Sequence, residues 1–178
     1  SKLLLCKDQN FSIENFSSIS NFFKKDDLIV FNETKVFKAR LRLQKESGGQ
    51  TEIFINRILS KFEAECLTKG LNLKKKSQVL KTNTFPLKIS IVKEKDGLVL
   101  MKFSQNVEHL CSIYGKVPIP PYLKRDDDES DNVRYQTVFA NDVLKESAAA
   151  PTASLHFDKN LYENITTEFS TCKINLAV

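Results

Sequence analysis

The sequence predicts an α/β (α+β) domain carrying an inserted, small antiparallel β-barrel of Greek-key-like form. Three observations predict it. Apolar residues recur with a period of two through most of residues 37–103. Helical spacing and short apolar runs of strand length flank that stretch on both sides. The 178 residues, 41% hydrophobic and 28% charged, are enough to build an ordinary core without a disulfide or a metal. The predicted division is 1–36 with 116–178 as the α/β part and 37–115 as the barrel.

Taken in order, residues 2–6 read as a short buried strand, and Phe16, Ile19 and Phe23 fall at helical spacing across 15–23. The polar turn Lys24-Lys25-Asp26-Asp27 precedes a second buried strand, Leu28 to Phe31. Phe37, Ala39, Leu41 and Leu43 then alternate with Lys38, Arg40 and Arg42, the pattern of a strand with one wet face. Ser47-Gly48-Gly49 turns the chain into a strand from Thr51 to Ile58. Alternation continues through Phe62 to Thr68, with a short strand at Gln78 to Leu80 and another through Leu87, Ile89 and Ile91. Lys95-Asp96-Gly97 is a hairpin signal leading into Leu98 to Phe103.

Helical spacing returns at Val107, Leu110, Cys111 and Tyr114, and Gly115 stands where a helix stop belongs. Pro118-Ile119-Pro120-Pro121-Tyr122 is stiff and extended, because each proline fixes its φ and restrains the residue before it. Asp126, Asp127, Asp128, Glu129 and Asp131 read as an acidic surface run. Asp158 is placed to cap a helix carrying Leu161, Ile165 and Phe169, and Cys172 to Val178 reads as one more buried strand.

Composition bounds the function. A net charge of +5 and a pI near 8.9 are compatible with RNA or nucleotide phosphates without demanding them. Cysteines at 6, 66, 111 and 172 have no zinc or redox spacing and read as buried or half-buried thiols of a reducing compartment. No apolar run approaches the ~18 residues of a membrane span, and Ser1-Lys2-Leu3 does not open a signal peptide. The first residue is not Met and the last three are apolar, which predicts a chain cut from a longer one.

Two segments stand out chemically. Asn32-Glu33-Thr34 follows a strand's carboxyl end, where ligands of α/β sheets gather. Ala148 to Phe157 joins small residues to Thr152, Ser154 and His156 just before a helix start, with backbone N–H groups expected to be open to an anion. His156 is the natural acid–base group there, with a structural imidazole as the alternative; His109 reads as structural or exposed. There is no phosphate-cradling glycine loop, no Gly-x-Ser-x-Gly elbow and no His pair for a metal, and Lys69, Lys74, Lys75, Lys76 and Lys81 read as a solvated face.

Asp27 to Val36 (DLIVFNETKV), with Ala39-Arg40-Leu41, resembles the "DLLVFNDTRVIPARL" stretch of the S-adenosylmethionine:tRNA ribosyltransferase-isomerases. So do Gly48-Gly49-Gln50 with its strand, Gly115 to Arg125 (GKVPIPPYLKR), Arg134 to Ala140 (RYQTVFA), and Ala149 to Phe157 (AAPTASLHF, similar to "AAPTAGLHF"). Glu33 stands at a usual Asp, Ser154 at a usual Gly, and Ala177 at a usual His before a glycine-rich turn. The resemblance implies a family segment before Ser1 and a C-terminal half after Val178.

It implies an α/β domain with an inserted barrel and a cytoplasmic enzyme. Such an enzyme moves the ribosyl group of S-adenosylmethionine onto 7-aminomethyl-7-deazaguanine in a tRNA anticodon. It isomerises that group to give epoxyqueuosine and releases adenine and methionine. No metal, no membrane and a monomer are expected. His156 and Thr152 are the catalytic candidates. Asn32, Thr34, Arg40, Tyr122, Arg125, Arg134, Tyr135, Pro151, Ser154 and Phe157 are the substrate-binding candidates, with Lys124 a further phosphate contact. The alternatives are an inactive tRNA- or nucleotide-binding remnant of that family, or a structural β-barrel module unrelated to RNA.

Overall fold

The computed structural model describes residues 1–143 and 147–177. Among the described residues, eleven strands, three helices and three 3₁₀ turns are arranged as a mixed α/β fold with a closed six-stranded antiparallel barrel.

The barrel strands are β4 (Arg40–Lys45), β5 (Gln50–Ser60), β6 (Glu63–Lys69), β7 (Ser77–Lys81), β8 (Pro86–Lys95) and β9 (Leu98–Phe103). They run in the order β4-β5-β6-β9-β8-β7, and β7 closes back on β4. The β6–β7 connection crosses over, so that β9 returns beside β6, which is a Greek-key path. Closure divides one edge of β4: Arg40 and Leu41 pair with Lys116 and Gly115 of the short β10 (Gly115–Lys116), whereas Gln44 and Lys45 pair with Lys81 and Leu80 of β7. The edge of β4 is thus covered at both of its ends, which leaves little of it for another chain to extend.

Period-two patterning fills the barrel. Leu41, Leu43, Ile53, Ile55, Leu80, Leu87, Ile89, Val99 and Met101 are each at most 2% exposed and belong to one core cluster. Each such side chain is worth about 1.5–3 kcal/mol on burial. Helix α1 (Val107–Tyr114) plugs the end near the β5–β6 turn, with the Val107 N–H donating to Lys61 O at 2.9 Å. Val107, Leu110 and Cys111, at i, i+3 and i+4, join the barrel core, and Asn106 Oδ1 caps the helix by accepting from His109 N. Burial pushes the Cys66 thiol well up and that of Cys111 to about 12, so neither is a nucleophile.

The flanking part is built on rings. Phe16, Phe31, Phe139, Phe157 and Tyr162 meet at centroid separations of 4.8 to 6.0 Å. Leu161 and Ile165 of α3 (Lys159–Glu168) complete that cluster. Asp158 caps α3 as expected, accepting from Leu161 N at 2.8 Å. β3 (Leu28–Asn32) and β11 (Ser170–Ile174) pair in parallel, Leu28 opposite Ser170 and Asn32 opposite Ile174.

Several expectations are corrected. Residues 2–6 are not a buried strand: β1 (Lys2–Lys7) forms a hairpin with β2 (Asn10–Asn15), and Leu4, Phe11 and Ile13 are exposed. The helical spacing from 15 to 23 folds as a 3₁₀ turn, Phe16–Phe22. β3 is buried on one face only, Ile29 and Phe31 packing on the rings while Leu28 (60%) and Val30 (52%) remain exposed, and β11 is exposed along its whole length. The last strand ends at Ile174, and Val178 lies outside the described residues. Cys6 and Cys172 are exposed rather than buried, because both lie on these half-covered sheets.

Asp131 leaves the acidic surface run altogether. It opens α2 (Asp131–Arg134), is 4% exposed, and accepts from both Arg125 Nη atoms at 2.7 Å and from Asp128 N at 2.9 Å. The Arg125 guanidinium first, then the Asp128 N–H, hold this carboxyl down at about 2. That value is below the ordinary carboxylate pKa of about 3.9, so its contribution to stability is complete above that pH and is lost as pH falls through about 2. Thermal melts taken across this acid range should show a loss of stability that Asp131→Asn largely removes.

Candidate active site

The segments singled out in the sequence are far apart along the chain and converge at one seam. Val36 bridges in parallel to Ser147, and the Phe37 N–H donates to Ser147 O at 3.1 Å. On the other side of Val36 the Gln136 amide acts as a strand neighbour: Oε1 accepts from Val36 N at 3.0 Å and Nε2 donates to Val36 O at 2.7 Å. Val36, Val117, Ile119, Tyr135 and Ala150 form one buried cluster with Leu155 packed against it. Residues after β3, the proline segment, the end of α2 and the small-residue loop therefore share one core.

Several cavities open along this seam, among them the following two. The larger, about 840 Å³, has walls from Lys35 to Lys38, from α1 through Glu108, His109 and Ser112, and from Val117 and Gln136. The smaller, about 420 Å³, lies between the barrel wall and the seam, and it holds sequence candidates. Arg40, Phe54 and Leu67 line it as a registered row across β4, β5 and β6. Pro118, Ile119, Pro120, Tyr135, Ala148 and Ala149 form the opposite wall. Volumes of a few hundred Å³ suit a nucleoside-sized ligand.

The polar groups of this cleft are few. Arg40 faces Glu52 at 3.6 Å, donates from Nη2 to Ile119 O at 3.3 Å, and leaves its Nε buried without a hydrogen bond. Burial raises the Tyr135 phenol above its usual value, opposed by a backbone hydrogen bond with Ala150, so the hydroxyl stays protonated and able to donate. The cleft thus offers apolar faces for a flat ring, with donors at its edge that include Arg40, Tyr135 and Lys69.

The other sequence candidates lie elsewhere. Asn32 completes the parallel pairing: Nδ2 donates to Leu176 O at 2.9 Å, and Oδ1 accepts from Leu176 N and Thr34 N. Thr34 is 1% exposed, and its hydroxyl is buried with no hydrogen-bond partner among the described residues. Phe157 is in the ring cluster. Arg125 is locked to Asp131, Arg134 is exposed at the end of α2, Lys124 is exposed with a φ of 51°, and Tyr122 is 74% exposed.

Pro151 leads a 3₁₀ turn, Thr152–His156, in which Thr152 is exposed and Ser154 half-buried. Three N–H groups of this region are already engaged: Ser154 donates to Pro151 O, Phe157 to Ser154 O, and Leu161 to the Asp158 carboxylate. His156 is exposed and lines neither cavity; its Nδ1 is 2.8 Å from Ser1 Oγ, and its ring is 5.3 Å from Phe16. The sequence reading missed Phe54, Leu67 and Glu52. The available signal was Phe54 and Leu67 themselves, apolar residues at outward-facing positions of strands whose wet face is otherwise polar.

The family model for queuosine biosynthesis proteins matches residues 1–178, the whole chain. The chain belongs to that family. Among curated relatives, S-adenosylmethionine:tRNA ribosyltransferase-isomerase of Acinetobacter baylyi is 39% identical over 84% of this chain and 44% of its own length. The protein of the same name from Sulfurimonas denitrificans is 37% identical over 92% of this chain and 49% of its own. A solved S-adenosylmethionine tRNA ribosyltransferase from Thermotoga maritima aligns with 100% of this chain and 50% of that one, at 22% identity and a TM-score of 0.38. The chain spans about half the length of the curated relatives it matches. Among the described residues of this queuosine biosynthesis family member, no helix is long and apolar enough to cross a membrane. No group of three or more His, Cys, Asp or Glu is placed to hold a metal ion among those residues.

Proposed function

We propose that this chain belongs to a cytoplasmic, monomeric tRNA-modifying transferase. It transfers and isomerises the ribosyl group of S-adenosylmethionine onto 7-aminomethyl-7-deazaguanine in the tRNA anticodon. The products are epoxyqueuosine, adenine and methionine, and no step calls on a metal. The observation that carries this reading is the convergence of Arg40, the proline segment, Tyr135 and Ala148-Ala149 on one apolar cleft, in a chain whose relatives bear the ribosyltransferase-isomerase name.

In this reading the faces of Phe54, Leu67 and Pro118 hold the purine, and Arg40 and Tyr135 address its edge or the ribose. The sulfonium acidifies protons on the adjacent ribose carbon, so a modest base suffices to remove one. His156 carries that proton and Thr152 orients the ribose beside it. Pro151 and Ser154 shape the turn that presents both, and Arg134 and the exposed Tyr122 meet the RNA. Arg125, through Asp131, holds the segment bearing Tyr122, while Asn32, Thr34 and Phe157 fix the frame beneath.

The deciding experiment incubates the protein with S-adenosylmethionine and precursor-bearing tRNA and measures free adenine. Adenine dependent on both substrates is expected. Retained tRNA binding without adenine would instead establish the inactive, tRNA-binding remnant. Tyr135→Phe removes one donor and keeps the cleft's shape. A single hydrogen bond is worth about 0.5–1.5 kcal/mol, so the KM for S-adenosylmethionine should rise about two- to twelvefold with kcat little changed.

A further inference from the structure

Charge is distributed unevenly along this chain. Residues 37–115 hold fifteen of the 27 Lys and Arg but only seven of the 22 Asp and Glu. The rest of the chain is therefore slightly acidic, and the basic charge belongs to the barrel.

Strand register gathers much of it at one end. Gln44 pairs with Gln50, Glu52 with Lys69, Cys66 with Val99 and Lys95 with Leu98. The β4–β5 turn, the β6–β7 loop and the β8–β9 turn thus share the end of the barrel opposite α1. Lys45, Lys69, Lys74, Lys75, Lys76, Lys93 and Lys95 lie there, against Glu46, Glu94 and Asp96. Lys69, Lys74, Lys75 and Lys76 are exposed, and none has a carboxylate ion-pair partner among the described residues.

The three consecutive lysines are held in place from beneath. Gln78 is 8% exposed and turns its amide inward, donating from Nε2 to Asn72 O at 2.8 Å and to Lys75 O at 3.1 Å. Asn72 Oδ1 accepts from Lys74 N at 3.1 Å, and Lys76 O accepts from Ile91 N at 2.8 Å. Leu71 and Leu73 pack against the barrel core. A loop that only needed solvation would not need a buried glutamine to fix its carbonyls. Three ammonium groups on a backbone ordered beforehand lose less freedom on binding a polyanion.

We propose that the Lys74-Lys75-Lys76 loop, with Lys69 beside it, is a contact surface for the phosphate backbone of RNA. Lysine meets phosphate as a point charge, so the contact adds affinity and salt dependence without reading sequence. The inference rests on the tRNA reading above and names the surface that reading leaves unassigned.

The test is a titration of tRNA at several salt concentrations. It compares the wild type, a Lys74→Ala/Lys75→Ala/Lys76→Ala variant, and a control variant, Lys24→Ala/Lys25→Ala/Lys159→Ala, with the same change in net charge at exposed positions outside the barrel. Each phosphate contact contributes about 0.7–0.9 to the slope of log K against log salt, so the loop variant should lose about two to three. The affinity lost between about 50 and 200 mM salt should accordingly shrink about 15- to 40-fold, and the control should keep the wild-type slope. Equal slopes in all three proteins, or equal losses in both variants, would overturn the loop while leaving the enzyme reading intact. A wild type that binds no tRNA would overturn both.

Discussion

Gly115→Ala is expected to destabilise the fold by about 3 kcal/mol or more, at the upper end of what forced overpacking costs. The reason is space and not dihedral freedom: at Gly115 φ is −70° and ψ 150°, which any residue adopts. A Cβ there would lie 2.1 Å from Lys38 O, 2.2 Å from Cys111 O and 2.7 Å from Lys38 Cβ. Two of these are backbone oxygens that no rotamer change can move. The site is also where three elements tie together: the Gly115 N–H closes α1 on Cys111 O, and β10 begins its pairing with Leu41. Moving any one of them opens the seam between barrel and flanking domain. At about 2–4 °C per kcal/mol for a chain of this size, the melting temperature should fall about 6–12 °C. Gly97→Ala makes the contrast. Its φ is +80° but nothing lies within 4 Å of its Cβ position, so the cost is confined to backbone strain of about 1–2 kcal/mol. Equal losses at the two positions would show that Gly115 is there for its backbone and not for its missing side chain.

These glycines show why part of the fold was legible and part was not. The β8–β9 turn has φ of 53° at Asp96 and 80° at Gly97, and Asp-Gly announces that geometry. The β1–β2 turn uses the same left-handed pair, 48° at Asp8 and 67° at Gln9, without glycine, so its hairpin was invisible and β2 was missed. The barrel could be read because each strand repeats a period of two against a single core. β3 was read as buried because a continuous apolar run normally has cover on both faces. Here only the Ile29 and Phe31 face is covered by described residues. Asp131 looked like one more surface carboxylate, and only the fold brings Arg125 onto it. Half of the candidate site could be read for the same reason. Arg40 and Tyr135 lie in segments with distinctive local sequence, whereas the Phe54 and Leu67 wall exists only through cross-strand register.

Replacing His156 by Ala should slow adenine release about 100- to 10,000-fold, the usual worth of a positioned proton carrier. The competing role is structural, and the surroundings of His156 limit how large that role can be. Among the described residues the imidazole makes one side-chain hydrogen bond, to Ser1 Oγ at 2.8 Å, and one tilted ring contact, with Phe16 at 5.3 Å. An exposed hydrogen bond and a ring contact are each worth about 0.5–1.5 kcal/mol, so losing both should lower the melting temperature by about 2–12 °C without unfolding the chain at assay temperature. Folding and turnover therefore separate cleanly at this residue. His156→Gln sharpens the separation: the amide retains a partner for Ser1 but cannot shuttle a proton, so stability should recover while turnover does not. If the Gln variant instead restores adenine release, or the Ala variant loses less than about tenfold, His156 is a strut for the N-terminal segment. Proton transfer would then fall to groups of the Arg40–Tyr135 cleft, since His156 lines neither cavity.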